Sequence, residues 1–148
     1  MSFVGLDIGG TYVKATVFDA HGVPGGVLRA PIPPFLDVTG DAREIDPEGL
    51  LSVVRGLLAE LTDRMGRTSG ILVTGQMAGI AFVDSGGRAV APLVSWQDTR
   101  VRDVEAVRGR LGPEALARTG DGIRVGLPLV TLSGLPRPVD SYVTSLIA

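Results

Sequence analysis

The chain has 148 residues with 14 Lys and Arg against 16 Asp and Glu, a formal charge of −2, which excludes a nucleic-acid surface built on gross positive charge. It has no cysteine and a single histidine, His21, so disulfides, thiolate zinc and histidine-rich metal sites are excluded and any metal must be held by oxygen. The 45% hydrophobic content suits one globular domain with a real core, and no apolar run approaches the ~20 residues of a membrane helix, so a soluble, cytoplasmic protein is the expectation.

From Phe3 to Ile8 a mostly apolar run predicts a buried strand, and Gly9-Gly10-Thr11 forces a turn. Tyr12 to Asp19 alternates as the returning strand, Ala20-His21-Gly22 closes it, and Val23 to Ala30 predicts a third strand before Pro31-Ile32-Pro33-Pro34. The opening is therefore read as an antiparallel meander. After the irregular stretch Phe35 to Ile45, Asp46-Pro47-Glu48 has the form of a helix start, with an N-cap, proline at N1 and an acid in the first turn. Leu50, Val54, Leu57, Leu61 and Met65 then recur at helical spacing until Gly66. Ser69 to Thr74 and Gly79 to Asp84 predict two more strands, the second ending at Ser85-Gly86-Gly87. A helix is expected from about Thr99 to Arg110, a short one from Pro113 to Arg118, a break at residues 119–122, and a weak helical period at Val139, Tyr142, Val143 and Leu146. Strand, helix and strand in this order predict an α/β fold, a mixed sheet with covering helices.

A Ser-His-Asp triad would need His21, which lies in an apparent turn, so hydrolysis of that kind is not supported. The sharpest chemical feature is Asp7 inside Gly5-Leu6-Asp7-Ile8-Gly9-Gly10-Thr11. A carboxylate in a buried apolar strand costs several kcal/mol unless a cation or donors meet it. The Gly-Gly-Thr turn lets backbone N–H groups approach an anion, Thr11 adds a hydroxyl, and Lys14, the only lysine, adds a positive charge. Those parts suit a polyphosphate with its magnesium, Asp7 lying on the metal side. A plain hairpin turn with Asp7 capping backbone groups is the other reading.

Two later segments extend the pattern: Thr74-Gly75-Gln76-Met77-Ala78-Gly79 and Pro92-Leu93-Val94-Ser95-Trp96-Gln97-Asp98-Thr99-Arg100. Together with the opening they resemble the amino-terminal part of the FGGY family of carbohydrate kinases, in the actin-like ATPase superfamily. The resemblance runs over nearly the whole chain, more loosely through Thr119-Gly120 and Pro128-Leu129 to Asp140-Ser141-Tyr142.

That resemblance implies a ribonuclease-H-like, actin-type ATPase lobe, residues 1–148 being its incomplete amino-terminal part with no second domain. It implies the cofactors ATP and Mg²⁺, with Asp7, Gly9, Gly10, Thr11 and Lys14 around the phosphates and Asp7 as the metal-side residue. It places Gln76, Met77, Ala78, Trp96, Asp98 and Arg100 on the side of a small-molecule sugar or polyol. Taken singly, Gln76 also reads as a satisfied loop amide, Trp96 reads first as a core aromatic, and Asp98 and Arg100 read equally as a helix cap and a surface cation. Many relatives carry a polar residue where this chain has Ala78. The family's catalytic aspartate lies beyond position 148, so this chain holds no catalytic residue and is expected to be inactive alone. The expected reaction is ATP-dependent phosphorylation of a pentulose or polyol hydroxyl; the alternative is a non-catalytic sugar- or nucleotide-binding remnant. A lobe cut within its sheet exposes edges and apolar surface, so self-association or a missing carboxy-terminal segment is expected, with no nucleic-acid or membrane partner.

Overall fold

The computed structural model describes residues 2–36, 40–65, 68–119 and 123–146. In chain order the elements are β1 (Phe3–Ile8), β2 (Tyr12–Phe18), β3 (Pro24–Pro31), β4 (Glu44–Ile45), α1 (Pro47–Met65), β5 (Gly70–Gly75), β6 (Gly79–Val83), β7 (Leu93–Val94), α2 (Val104–Thr119), α3 (Pro128–Gly134) and β8 (Tyr142–Leu146). They form two compact units, one within residues 2–34 and 46–76, the other within 35–45 and 77–146.

The first unit is a four-stranded sheet in the order β3-β2-β1-β5. The three opening strands form the expected antiparallel meander, and β5 pairs with β1 in parallel. Side chains alternate across the sheet, so Val4, Leu6, Val13, Ala15 and Val17 share one face, and all five are buried. Helix α1 supplies the matching buried stripe, Leu50, Val54, Leu57 and Leu61, each removal from water contributing about 2 kcal/mol. Its start is as the sequence predicts: the Asp46 carboxylate accepts from Glu48 N at 3.2 Å and Gly49 N at 3.1 Å, with Pro47 opening the first turn. Gly66, the expected helix end, lies outside the described residues. Strand β5 is an edge among the described residues, and its Ile71, Leu72 and Val73 are exposed.

The second unit holds a sheet in the order β4-β7-β6-β8, all pairs antiparallel. Ile80, Phe82 and Val94 form one buried cluster against Ala91, Leu132 and Leu135, while Val107, Ile123 and Val130 form another. The Ser85-Gly86-Gly87 turn forms as predicted, the Asp84 carboxylate accepting from Gly86 N and Arg88 N, both at 2.9 Å. Two expectations are corrected here, and one element was missed. The helix expected from Thr99 starts at Val104, because Asp103 caps it by accepting from Ala106 N at 2.9 Å. Residues 139–146 carry no helix; Tyr142, Val143 and Thr144 are strand formers and pair as β8 along β6. Helix α3 was not predicted, since it has seven residues and no side-chain cap at its start. The short helix from Pro113 is present, separated from the preceding turns by Gly112 at φ 71° and ψ 169°. The predicted break at 119–122 falls, from Gly120 on, outside the described residues. Among the described residues no helix is long and apolar enough to cross a membrane.

Candidate functional site

The turn between β1 and β2 is closed by Gly9 N donating to Tyr12 O at 3.0 Å. A Cβ at Gly9 would lie 2.9 Å from that same carbonyl oxygen, so this close approach of backbone to backbone requires glycine. In register, Asp7 pairs with Lys14 and, on its other side, with Thr74, while Lys14 pairs with Arg29. Four polar side chains thus cross the sheet in one row: Thr74, Asp7, Lys14 and Arg29. Lys14 Nζ lies 3.5 Å from Asp7 Oδ2, and the Arg29 guanidinium sits 5.3 Å from the centre of the Tyr12 ring.

The burial expected of Asp7 is corrected by this geometry. Its side chain is 42% exposed and that of Lys14 is 52% exposed, because α1 covers the opposite face of the sheet. The carboxylate is tolerated by hydration and an exposed ion pair, which holds it by no more than ~1 kcal/mol. Either group can therefore be recruited by a ligand at little cost. An open cavity of about 360 Å³ lies over this face; Asp7, Lys14, Thr16 and Thr74 border it, but Phe18, Val27 and Leu72 help make its lining mostly apolar.

The residues present fit magnesium and a polyphosphate in one specific sense. Among the described residues no three acidic or histidine side chains converge on a metal position, so a protein-only metal cage does not form. Magnesium keeps several waters and is commonly held by one or two carboxylates plus substrate phosphates, and Asp7 beside a glycine turn and a lysine is a donor set of that kind. Thr11, next to the turn, is exposed. Gln76 joins this neighbourhood through its backbone, Gln76 N donating to Ile8 O at 2.9 Å, one residue before Gly9.

Met77 and Ala78 form the turn that follows, Met77 67% exposed and Ala78 at φ 64°. Left-handed backbone is the region where glycine is free and Asn, Asp and His are enriched among other residues. Ala78 bears the strain without a polar group to use it. Replacing Ala78 with Gly is expected to raise stability by about 1 kcal/mol, and with Asn by somewhat less. Urea unfolding measures this; destabilisation by Ala78→Gly would refute the strain.

In the second unit Ser95, Trp96, Gln97 and Asp98 make a tight turn, with Asp98 N donating to Ser95 O at 3.0 Å and Gln97 N to Ser95 Oγ at 3.2 Å. Trp96 at its tip is 47% exposed, so it is not the core aromatic of the alternative reading. Asp98 is the opposite case, its side chain 0% exposed. Its carboxylate accepts from Arg43 N at 2.8 Å, Arg100 N at 3.1 Å, Arg100 Nε at 2.9 and 3.0 Å and Arg100 Nη2 at 2.6 Å. Arg100 Nη2 also donates to Glu44 Oε1. Burial pushes the Asp98 carboxyl upward, but the Arg100 hydrogen bond, the two backbone N–H donors and the Arg100 charge outweigh it and hold the group below the usual carboxylate value. The Asp98 hydrogen bond likewise raises the Arg100 guanidinium against the opposing effect of burial, and Glu44 adds to the rise.

Asp7, Gly9, Gly10, Thr11, Lys14 and the Gln76 backbone are thus gathered in the first unit, and Trp96, Asp98 and Arg100 in the second. Sequence reasoning missed Arg43 and Glu44, which meet the last group from more than fifty residues away, and Gly126. At φ 83°, Gly126 has no room for a Cβ, which would lie 2.4 Å from Trp96 O. A local signal exists only for Gly126, as glycine between Val125 and Leu127.

The family model for the amino-terminal domain of the FGGY family of carbohydrate kinases matches residues 2–140. Among solved structures the chain is similar to a xyloylose kinase from Brucella ovis, at 26% identity and TM-score 0.73, over 86% of this chain and 27% of that one. It is similar to a xylulose kinase from Rhodospirillum rubrum at 31% identity and TM-score 0.71, over 81% and 26%. A carbohydrate kinase from Novosphingobium aromaticivorans matches at 21% identity and TM-score 0.72, over 96% and 31%. The chain thus spans less than a third of the length of each of these three proteins. No curated protein sequence matches it.

Proposed function

The chain belongs to the FGGY family of carbohydrate kinases, whose members have the actin-like ATPase fold, and on that premise we propose that it is the amino-terminal part of an ATP-dependent kinase acting on a sugar or polyol hydroxyl. The observation that carries the reading is the Asp7–Lys14 pair at 3.5 Å, flanking a turn that only glycine permits at position 9. Lys14 and the backbone N–H groups of Gly10 and Thr11 would bind terminal phosphate oxygens, Gly9 shaping the turn with its own N–H closed on Tyr12 O, and Asp7 would hold magnesium through water on the metal side. The magnesium, when bound, neutralises charge on the phosphoryl group. Within the second unit Met77, Ala78 and Trp96 are assigned to the sugar, the indole packing on its C–H groups; the Gln76 amide is assigned to sugar hydroxyls by the family resemblance alone. No residue of this chain is assigned as the base that takes the hydroxyl proton.

Calorimetric titration with Mg-ATP, and separately with a panel of pentuloses and polyols, tests this. Saturable binding of both is expected, and Asp7→Asn should weaken Mg-ATP by about tenfold or more, the scale of a lost charge-assisted contact, while leaving sugar binding unchanged. Mg-ATP affinity indifferent to Asp7→Asn removes the metal-side role. A second reading, a sugar- or nucleotide-binding remnant without catalysis, draws on Ala78, which puts a methyl group at a strained turn position. It is the better account if transfer is still absent when a complete two-lobed form is assayed.

A further inference from the structure

The Trp96 turn has an exposed tip and an over-determined base. Ser95 N donates to Arg43 O at 2.9 Å, Thr99 N to Asp41 O at 3.1 Å, and Arg43 N to the Asp98 carboxylate at 2.8 Å. The stretch 41–45 is thereby laced to 93–99, continuing the ladder in which Glu44 pairs with Val94 and Ile45 with Leu93. Arg100 then closes the base from the side, its Nε and Nη2 on Asp98 and its Nη2 also on Glu44. Gly126 abuts the Trp96 carbonyl from another segment, at a separation no side chain tolerates.

From this we infer that Asp98, Arg100, Glu44 and Gly126 are positioning residues, a frame that holds the Trp96 turn rigid so that its half-exposed indole is a preorganised platform for the C–H face of a sugar. The frame is argued from geometry alone; the identity of its ligand rests on the kinase reading above. Three features support the assignment. Asp98 has no exposed surface with which to meet a ligand, and its oxygens already accept five hydrogen bonds. Arg100 has Nε and Nη2 committed to carboxylates in the fork geometry that arginine supplies and lysine does not. An aromatic platform gains affinity when its ordering is completed before the ligand arrives, since that cost is then absent from binding.

Trp96 is the only tryptophan of the chain, so its fluorescence reports on this turn alone. The experiment compares the wild-type chain with Glu44→Ala, which touches neither the turn nor its tip, and with Asp98→Asn and Arg100→Lys. Acrylamide quenching of Trp96 and titration with the pentulose and polyol panel are measured on each, with circular dichroism confirming the fold. Because Trp96 is 47% exposed, release of the turn is expected to raise the quenching constant by about twofold. Sugar affinity is expected to fall by about tenfold, one charge-assisted hydrogen bond's worth, with Mg-ATP binding unaffected. Quenching identical to wild type in all the folded variants overturns the frame, whatever the sugar titration shows. Quenching that rises in the variants of a chain binding no sugar sustains the frame and instead defeats the sugar reading. Should Asp98→Asn fail to fold, Glu44→Ala and Arg100→Lys decide the matter.

Discussion

Asp98→Ala is expected to lower the unfolding free energy by about 3 kcal/mol at neutral pH, the low end of the range for breaking a buried ion pair. The low end applies because Arg100, with its side chain 29% exposed, retains Glu44 and some hydration. What remains uncompensated is the pair of backbone donors, Arg43 N and Arg100 N, that face the lost carboxylate. The pH dependence has a definite sign. The folded-state value of Asp98 lies below its unfolded value, so its contribution is complete above about pH 3.9 and disappears as pH falls through the lowered folded value. The difference in melting temperature between wild type and Asp98→Ala should therefore be constant from neutral pH down to about 4 and shrink below it. A difference that grows as the solution is acidified would contradict the assigned pairing.

The second large effect is expected at Gly126. An alanine there must adopt a left-handed backbone, at a cost of about 1–2 kcal/mol, and its Cβ would overlap Trp96 O at 2.4 Å. Relief requires moving one backbone segment off another, so a total of about 3 kcal/mol is expected. Gly22 provides an internal comparison: its φ is 78° and nothing lies within 4 Å of its virtual Cβ. Gly22→Ala should thus lose only the conformational part. Urea unfolding of the two variants separates contact from conformation, and equal losses would show that the approach of Gly126 to Trp96 carries no energy.

Local physical chemistry made much of this legible in advance. Asp46-Pro47-Glu48 contains both a capping carboxylate and a residue preset for the first helical turn, so the start of α1 needed no tertiary information. The β1–β2 turn was legible for a similar reason, since Gly-Gly between alternating strands leaves few alternatives. The helix placed from Thr99 failed because the cap that matters is Asp103, four residues further on. The acid at 98, which looked like a possible cap, is instead buried beneath Arg100. Strand β8 was misread because its weak helical spacing competes with a pairing edge, β6, whose position no local pattern reveals. Asp7 illustrates the same limit, since an apolar strand reads alike whether one face is covered or both.

The order of strands in the meander, the capped helix and the composition of the β1–β2 hairpin were settled by residue type and spacing, because each depends on interactions within a few positions along the chain. Which face of the first sheet stays open, and hence that Asp7 and Lys14 are accessible rather than buried, depended on where α1 packs. The frame under Trp96 depended wholly on tertiary structure: Arg43 and Glu44 reach Asp98 and Arg100 across more than fifty residues, and an ion pair between such distant positions leaves no periodicity in the sequence.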